Sequence, residues 1–271
     1  MSELPHCKEL LLEDAGGVLT VTLNRPHKRN AMNSQLVDEL IAVIDTIADK
    51  RDCRVLVLRG AEGNFCAGGD ISGMNESQPV TEQDGRDASW HFNRSFGTLI
   101  SKLNRAPQLV ICLLDGAVLG GGFGLACVAD FGIADQRAMF AMPETGLGII
   151  PAQIAPFVVS RIGLTQARRL ALFGMRVDGT EALRIGLVHQ VVDGPEQMQE
   201  ALAMALKLAM KTAPHATAVT KQLLLDAHET PVIESLLDRA ADDFSTALTS
   251  AEGQEGTKAF VQKRKPSWMQ N

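Results

Sequence analysis

Asp115-Gly116-Ala117-Val118-Leu119-Gly120-Gly121-Gly122-Phe123-Gly124 lies between an apolar strand, Gln108–Leu114, and a helix read over Phe123–Val128. Glycine lets the backbone turn tightly there and lets another molecule approach its N–H groups. The first N–H groups of a helix have no intrahelical partner, and that end of a helix favours negative charge. A ligand oxygen that gains negative charge would be stabilised beside Gly120–Gly122. A tight packing turn between strand and helix is the other reading of the same residues. No G-x-G-x-x-G spacing runs through the stretch and no Gly-Lys-Ser/Thr follows it, which argues against a dinucleotide site and a Walker A loop.

On both sides of this stretch, strands alternate with helices. Gly16-Gly17 divides two β-rich runs, Leu10–Glu13 and Val18–Leu23, into a hairpin. Leu36, Leu40, Ile44 and Ile47 form one apolar stripe on a helix over 34–49. Arg54–Arg59 reads as a short buried strand running into the loop Gly60–Gly73, and Phe92, Phe96, Leu99 and Leu103 mark a helix over 90–104. Short strands are expected at Phe131–Ala134 and Ala138–Phe140, a Gly- and Pro-rich loop at Pro143–Pro151, and helices at Ile154–Arg161 and Thr165–Phe173. Strands stop near Val192, and helices at 196–211, 215–227, 232–249 and 252–263 follow. The pattern predicts an α/β core over residues 1–195, with crossovers, and an α-helical segment over 196–271.

Composition narrows the function. The chain has 271 residues, 45% hydrophobic and 21% charged, which is globular rather than disordered or fibrous. Its net charge of −6 makes it a poor generic binder of phosphate backbones, so no nucleic-acid partner is expected. Five scattered cysteines without a C-x-x-C pair read as reduced thiols of a cytoplasmic protein. The N-terminal residues carry no basic-then-apolar signal pattern, and no apolar run approaches the roughly 20 residues of a membrane span. The histidines lack metal-ligand spacing, and neither a metal nor a redox cofactor is expected.

Two further segments point to chemistry. Phe65-Cys66-Ala67-Gly68-Gly69-Asp70-Ile71 is a second small-residue loop after a strand. Alone it is a turn; with Gly120–Gly122 it offers two N–H groups from separate places, the layout of an oxyanion hole. Glu144, in Phe140-Ala141-Met142-Pro143-Glu144, stands among Met142, Pro143, Leu147, Ile149 and Ile150. An apolar setting raises a carboxyl pKa and suits it to proton transfer, although a surface or N-cap glutamate fits the same spacing. Cys66 has no evident partner base and is a weak candidate nucleophile.

Asn24-Arg25-Pro26, Asn30-Ala31-Met32, Phe65–Ile71, Gly120–Gly122, Pro143-Glu144 and Phe260-Val261-Gln262-Lys263-Arg264-Lys265 jointly resemble the crotonase family of enoyl-CoA hydratases and isomerases, nearly end to end. The resemblance implies a spiral of β-β-α turns followed by helices, assembled as trimers or dimers of trimers. It implies acyl-coenzyme A thioesters as substrates, with coenzyme A entering only as part of the substrate. Carried over, the N–H groups of Gly69 and Gly121 bind the thioester oxygen as it becomes an enolate, and Glu144 moves protons. Ala67, Gly68, Asp70, Ile71, Ser72 and Gly120 would line the thioester and pantetheine. Arg25 and Lys28 would flank the coenzyme A phosphates, and Phe260 and Lys263 would reach the nucleotide bound by a neighbouring subunit.

Hydratases with two catalytic glutamates carry one just after the glycine triplet, where this chain has Gly124. Family members with a single glutamate include double-bond isomerases and hydratases of branched glutaconyl thioesters. Gly148–Val159 resembles the latter group, with isohexenylglutaconyl-CoA of acyclic terpene breakdown the first expectation and 3-methylglutaconyl-CoA of leucine breakdown the second. A Δ3,Δ2-enoyl-CoA isomerase and a non-catalytic relative that binds acyl-CoA or RNA are the alternatives. Gly124 is expected to leave room for a branch or a substrate carboxylate.

Overall fold

In the computed structural model, which describes residues 4–70, 85–229 and 233–269, the chain begins as an antiparallel hairpin of β1 (Leu10–Ala15) and β2 (Val18–Leu23). Helix α1 (Ser34–Ile47) then crosses over to β3 (Val55–Gly60), which lies parallel to β2. The side chain of Asn33 accepts the Leu36 N–H at 2.9 Å and starts α1, whose Leu36, Val37, Leu40, Val43, Ile44 and Ile47 are buried. Helix α2 (Ala88–Asn104), capped by Asp87, carries the chain to β4 (Leu109–Leu114), parallel to β3.

After β4 the chain makes a second layer before returning. It runs through β5 (Ala117–Leu119), α3 (Gly121–Cys127), β6 (Phe131–Asp135) and β7 (Met139–Ala141). Then come α4 (Ala155–Phe173), β8 (Arg176–Val177), α5 (Gly179–Arg184) and β9 (Gln190–Val192). The six-stranded sheet has the order β1-β2-β3-β4-β6-β9, and β5-β7-β8 form a separate three-stranded sheet. Four helices follow: α6 (Gly194–Ala209), α7 (Pro214–Glu229), α8 (Ile233–Thr249) and α9 (Ala251–Val261). This mixed α/β arrangement, a central sheet with nine helices among the described residues, agrees with the fold expected. None of those helices is long and apolar enough to cross a membrane.

Residues Val55–Leu58 of β3 are fully buried, because helices cover both faces of the parallel strands. Leu56, Leu58, Val110, Cys112 and Leu114 pack toward α1, α2 and α3. Val55, Val57, Ile111, Leu113 and Ile133 pack against Met198, Ala201 and Ala209 of α6. Helix α6 is therefore a layer of the core, and the boundary expected after residue 195 falls inside it.

Helix α4 is broken at Gly163 (φ 71°, ψ 159°), so the two helices expected there do form, end to end. The sequence reading did not resolve β5, β8 and α5, and it marked β9 only as the point near Val192 where strands stop. Strands of two or three residues are too short for a period to show, and β5 lies inside the glycine-rich stretch quoted first.

Candidate active site

The loop after β3 is stitched to two neighbours. Met32 N–H donates to Gly68 O and Asp70 N–H to Met32 O, both at 2.8 Å. Cys66 N–H donates to Ala117 O at 2.8 Å, and Leu119 N–H returns to Cys66 O at 2.9 Å. Gly120 N–H in turn donates to Ala141 O at 3.0 Å, two residues before Pro143-Glu144. Three distant stretches of sequence thus run side by side and bring Gly68-Gly69, Gly120-Gly121 and Glu144 together.

Glycine is needed at the junction. Gly68 has φ of 100° and Gly120 has φ of 51°, backbone states that side chains disfavour. A Cβ on Gly68 would stand 3.2 Å from Leu119 O, and one on Gly120 would stand 2.9 Å from Glu144 Oε1. The neighbouring N–H groups of Met32, Asp70 and Gly120 are all bonded, whereas those of Gly69 and Gly121 donate to no acceptor among the described residues. Helix α3 is only 7 residues long, so what the Gly121 N–H offers is a fixed direction more than a long dipole.

Both glycines line a cavity of about 230 Å³ together with Ala67, Gly68, Gly120, Met32, Phe92, Phe96, Leu147, Ile149, Ile150 and Ile154. Its polar side chains are Glu144, Asn93 and Gln153. Glu144 opens a 3-10 turn, Glu144–Leu147, directly after Pro143. Its Oε2 is buried without a hydrogen-bond partner. Burial pushes its carboxyl above the ordinary carboxylate range, and a hydrogen bond with its own backbone only partly opposes this. A carboxyl held this way exchanges protons nearer neutral pH than a solvated one.

Two expectations need correction. The space at Gly124 is occupied: a Cβ there would stand 2.4 Å from Ile154 Cγ2 and 3.1 Å from Ile100 Cδ1. Ile154, itself buried, fills the volume expected to be open. Arg25 is buried and faces inward, not toward a phosphate. Its guanidinium pairs with Glu9 at 3.1 Å and Asp70 at 3.0 Å and donates to Ala31 O at 2.5 Å. Arg25 and Asp70 thereby hold the Gly68-Gly69 loop against the residues before α1, and the Asp70 carboxylate is engaged there. Cys66 is fully buried, with its thiol pushed up to about 12 by burial, in keeping with its weak candidacy as a nucleophile.

Lys28 is exposed in the 3-10 turn Pro26–Lys28. Phe260 is 84% exposed near the end of α9, and Lys263 is exposed just beyond it. Ile71 and Ser72 lie outside the described residues. Sequence reasoning did not name Asn93, and Gln153 entered only as part of the Gly148–Val159 stretch. Phe92 and Phe96 belong to the apolar stripe of α2, which pointed to a buried face but not to the cavity; Asn93, beside that stripe, carried no signal of its own.

The chain is similar to known proteins over nearly its whole length. The model of the family described as Enoyl-CoA hydratase/isomerase matches residues 13–271. The solved structure of Pseudomonas aeruginosa AtuE superimposes with a TM-score of 0.92 at 54% identity, covering 97% of this chain and 100% of that one. The Short-chain-enoyl-CoA hydratase of Clostridium acetobutylicum is 34% identical over 97% of this chain and 98% of its own length. The 1,2-epoxyphenylacetyl-CoA isomerase of Escherichia coli is 32% identical over 93% and 95%. A shared fold places the chain among crotonase-type α/β proteins. The match along its length goes further: the chain belongs to the enoyl-CoA hydratase/isomerase family.

Proposed function

We propose that the chain is a hydro-lyase that adds water across the double bond of an α,β-unsaturated acyl-CoA. One observation carries this reading: two peptide N–H groups, of Gly69 and Gly121, that donate to no acceptor among the described residues share a cavity with a half-buried carboxyl, Glu144, whose Oε2 is buried and has no hydrogen-bond partner among them. The thioester oxygen would sit between the two N–H groups, which strengthen their hold as it becomes an enolate oxygen. Removing one such donor from an enzyme costs about 10²–10³ in rate. The ionised Glu144 takes a proton from water as its oxygen bonds Cβ. The same carboxyl, now protonated, returns that proton to Cα on the same face. One water is added, the addition is syn, and no second carboxylate is required.

The substrate class in this reading is a branched glutaconyl thioester, isohexenylglutaconyl-CoA before 3-methylglutaconyl-CoA. It is supported by the character of Gly148–Val159, which supplies Ile149, Ile150, Gln153 and Ile154 to the cavity wall. Coenzyme A enters as part of the substrate, with Lys28 and Lys263 as candidate phosphate contacts. A homotrimer or dimer of trimers is proposed as the assembly, supported by Phe244, Leu248, Phe260 and Val261, large apolar side chains exposed on α8 and α9. A cytoplasmic setting fits the five free thiols.

Isomerisation is the second reading, favoured by Ile154 standing where a second carboxylate would be. Glu144 would then carry a proton between two carbons of a β,γ-unsaturated ester. The test is incubation of the protein with crotonyl-, 3-methylglutaconyl- and isohexenylglutaconyl-CoA, read as a mass gain of one water. Turnover of a branched glutaconyl ester well above crotonyl-CoA is expected. No water gain on any ester refutes the hydro-lyase, and conversion of a β,γ-unsaturated ester without mass change establishes the isomerase.

A further inference from the structure

We propose that Asn93 and Gln153 form an amide pair that receives a carboxylate on the acyl group and so selects dicarboxylic acyl thioesters. The inference rests on the reading that this cavity takes the acyl part of an acyl-CoA. Gln153, in the turn leading into α4, donates from Nε2 to Asn93 Oδ1 on α2 at 2.9 Å. Its Oε1 is turned toward the backbone of α2 beside Gly97, where a Cβ would stand only 2.0 Å away. The remaining hydrogens, one on Gln153 and two on Asn93, donate to no acceptor among the described residues. With one oxygen tucked against Gly97 and the other engaged, the pair presents hydrogens to the cavity.

That polarity decides the role. A group that presents hydrogens grips an oxygen that carries lone pairs. It cannot take a proton from water, so the pair is no substitute for the carboxylate that Gly124 lacks. Elsewhere the cavity wall is largely apolar side chains and glycine backbone, and Glu144 is occupied with proton transfer. An oxygen on the acyl chain therefore has its best partner at Asn93–Gln153. The Arg94 guanidinium approaches the Gly97 side of the pair, with Nη1 3.0 Å from the position of a Gly97 Cβ, which sets a cation near the tucked Gln153 oxygen and favours that orientation of the amide. Gly97 sits inside a 17-residue helix, where glycine is disfavoured relative to alanine, and its lack of a side chain is what seats the Gln153 amide.

The test measures binding of two saturated thioesters, glutaryl-CoA and butyryl-CoA, to the full chain by calorimetry. Wild type is expected to prefer glutaryl-CoA by about tenfold to a hundredfold, the range of hydrogen bonds to a charged group. Gln153→Leu is expected to abolish the preference and leave butyryl-CoA affinity within about threefold. Gly97→Ala, which displaces the amide without removing it, is expected to act in the same direction. Absence of a preference in wild type, its persistence in Gln153→Leu, or an equal loss on both esters overturns the proposal. Neither ester can be hydrated, so this result is separate from the water-gain assay. A protein that prefers glutaryl-CoA yet hydrates nothing would keep the amide site and lose the hydro-lyase reading.

Discussion

Gly124→Ala tests the packing that replaces the absent carboxylate. The new Cβ would stand 2.4 Å from Ile154 Cγ2, 3.0 Å from Ile154 Cβ and 3.1 Å from Ile100 Cδ1. Ordinary carbon contacts are about 3.5–4.0 Å, so Ile154, which is 3% exposed and walls the cavity, must retreat by roughly 1 Å. Overpacking of this kind costs about 1–3 kcal/mol, and the better helix propensity of alanine recovers up to about 1 kcal/mol. The single variant should lose about 1–2 kcal/mol. Ile154→Ala opens a cavity and should lose about 2–5 kcal/mol. In the double variant the alanine methyl enters the space Ile154 has left, so the clash disappears and part of the hole is filled. The pair should cost less than the sum of the singles by about 1–3 kcal/mol. Urea unfolding of all four proteins gives the coupling directly. Additive losses, within about 0.5 kcal/mol, would mean that the two side-chain volumes do not compete and that the space beside Gly124 is open after all.

Four further outcomes follow from the site. Glu144→Gln should lower turnover by about 10²–10⁴ on whichever ester the wild type converts, while leaving thioester binding nearly intact; full activity removes Glu144 from the chemistry. Its folded pKa is raised, so folding favours the protonated form: that stabilisation is present below the unfolded pKa and is lost as pH climbs through the folded one. Denaturant midpoints of wild type should therefore fall relative to Glu144→Gln across that interval, and parallel curves contradict the burial argument. Arg25→Met should destabilise by about 3–5 kcal/mol, because Glu9 and Asp70 lose a buried partner, and a loss under about 1 kcal/mol in unfolding would show that the pair holds nothing. A thiol reagent should label Cys7 first in the native protein and leave the buried Cys53, Cys66, Cys112 and Cys127 until it unfolds; prompt modification of Cys66, followed by mass spectrometry of peptides, contradicts its burial.

The hairpin, α1, α2, β3 and β4 were legible because each carries a period or an apolar run long enough to register, and their observed limits lie within a few residues of those expected. The glycine loops were legible as loops, and the resemblance paired them. Their convergence was not readable locally, since the bonds that join Cys66 to Ala117 and Gly120 to Ala141 link residues of no distinctive type through backbone atoms. Arg25 was read as a phosphate neighbour because the family resemblance carried that role to its position. Its ion pairs with Glu9 and Asp70 depend on β1 and the Gly69 loop meeting across the hairpin. Gly124 suggested space because a missing side chain is visible in a sequence, whereas the Ile154 that fills it lies thirty residues on. The pairing of Asn93 with Gln153 stayed hidden for the same reason: an amide on a helix flank and another in a turn acquire meaning only once they touch.

The groups that hold the thioester oxygen in the proposed reaction belong to the peptide chain itself, and this governs how the molecule can be altered. Alanine scanning passes over such donors, since every residue but proline keeps its N–H; replacing the amide by an ester at Gly69 or Gly121 is the change that reaches them. The wall at positions 92, 93, 96, 149, 153 and 154 is made of side chains and can be re-lined without moving either donor. Retuning which acyl group is accepted and disabling the reaction are therefore separable operations, one carried out on side chains and the other on the backbone.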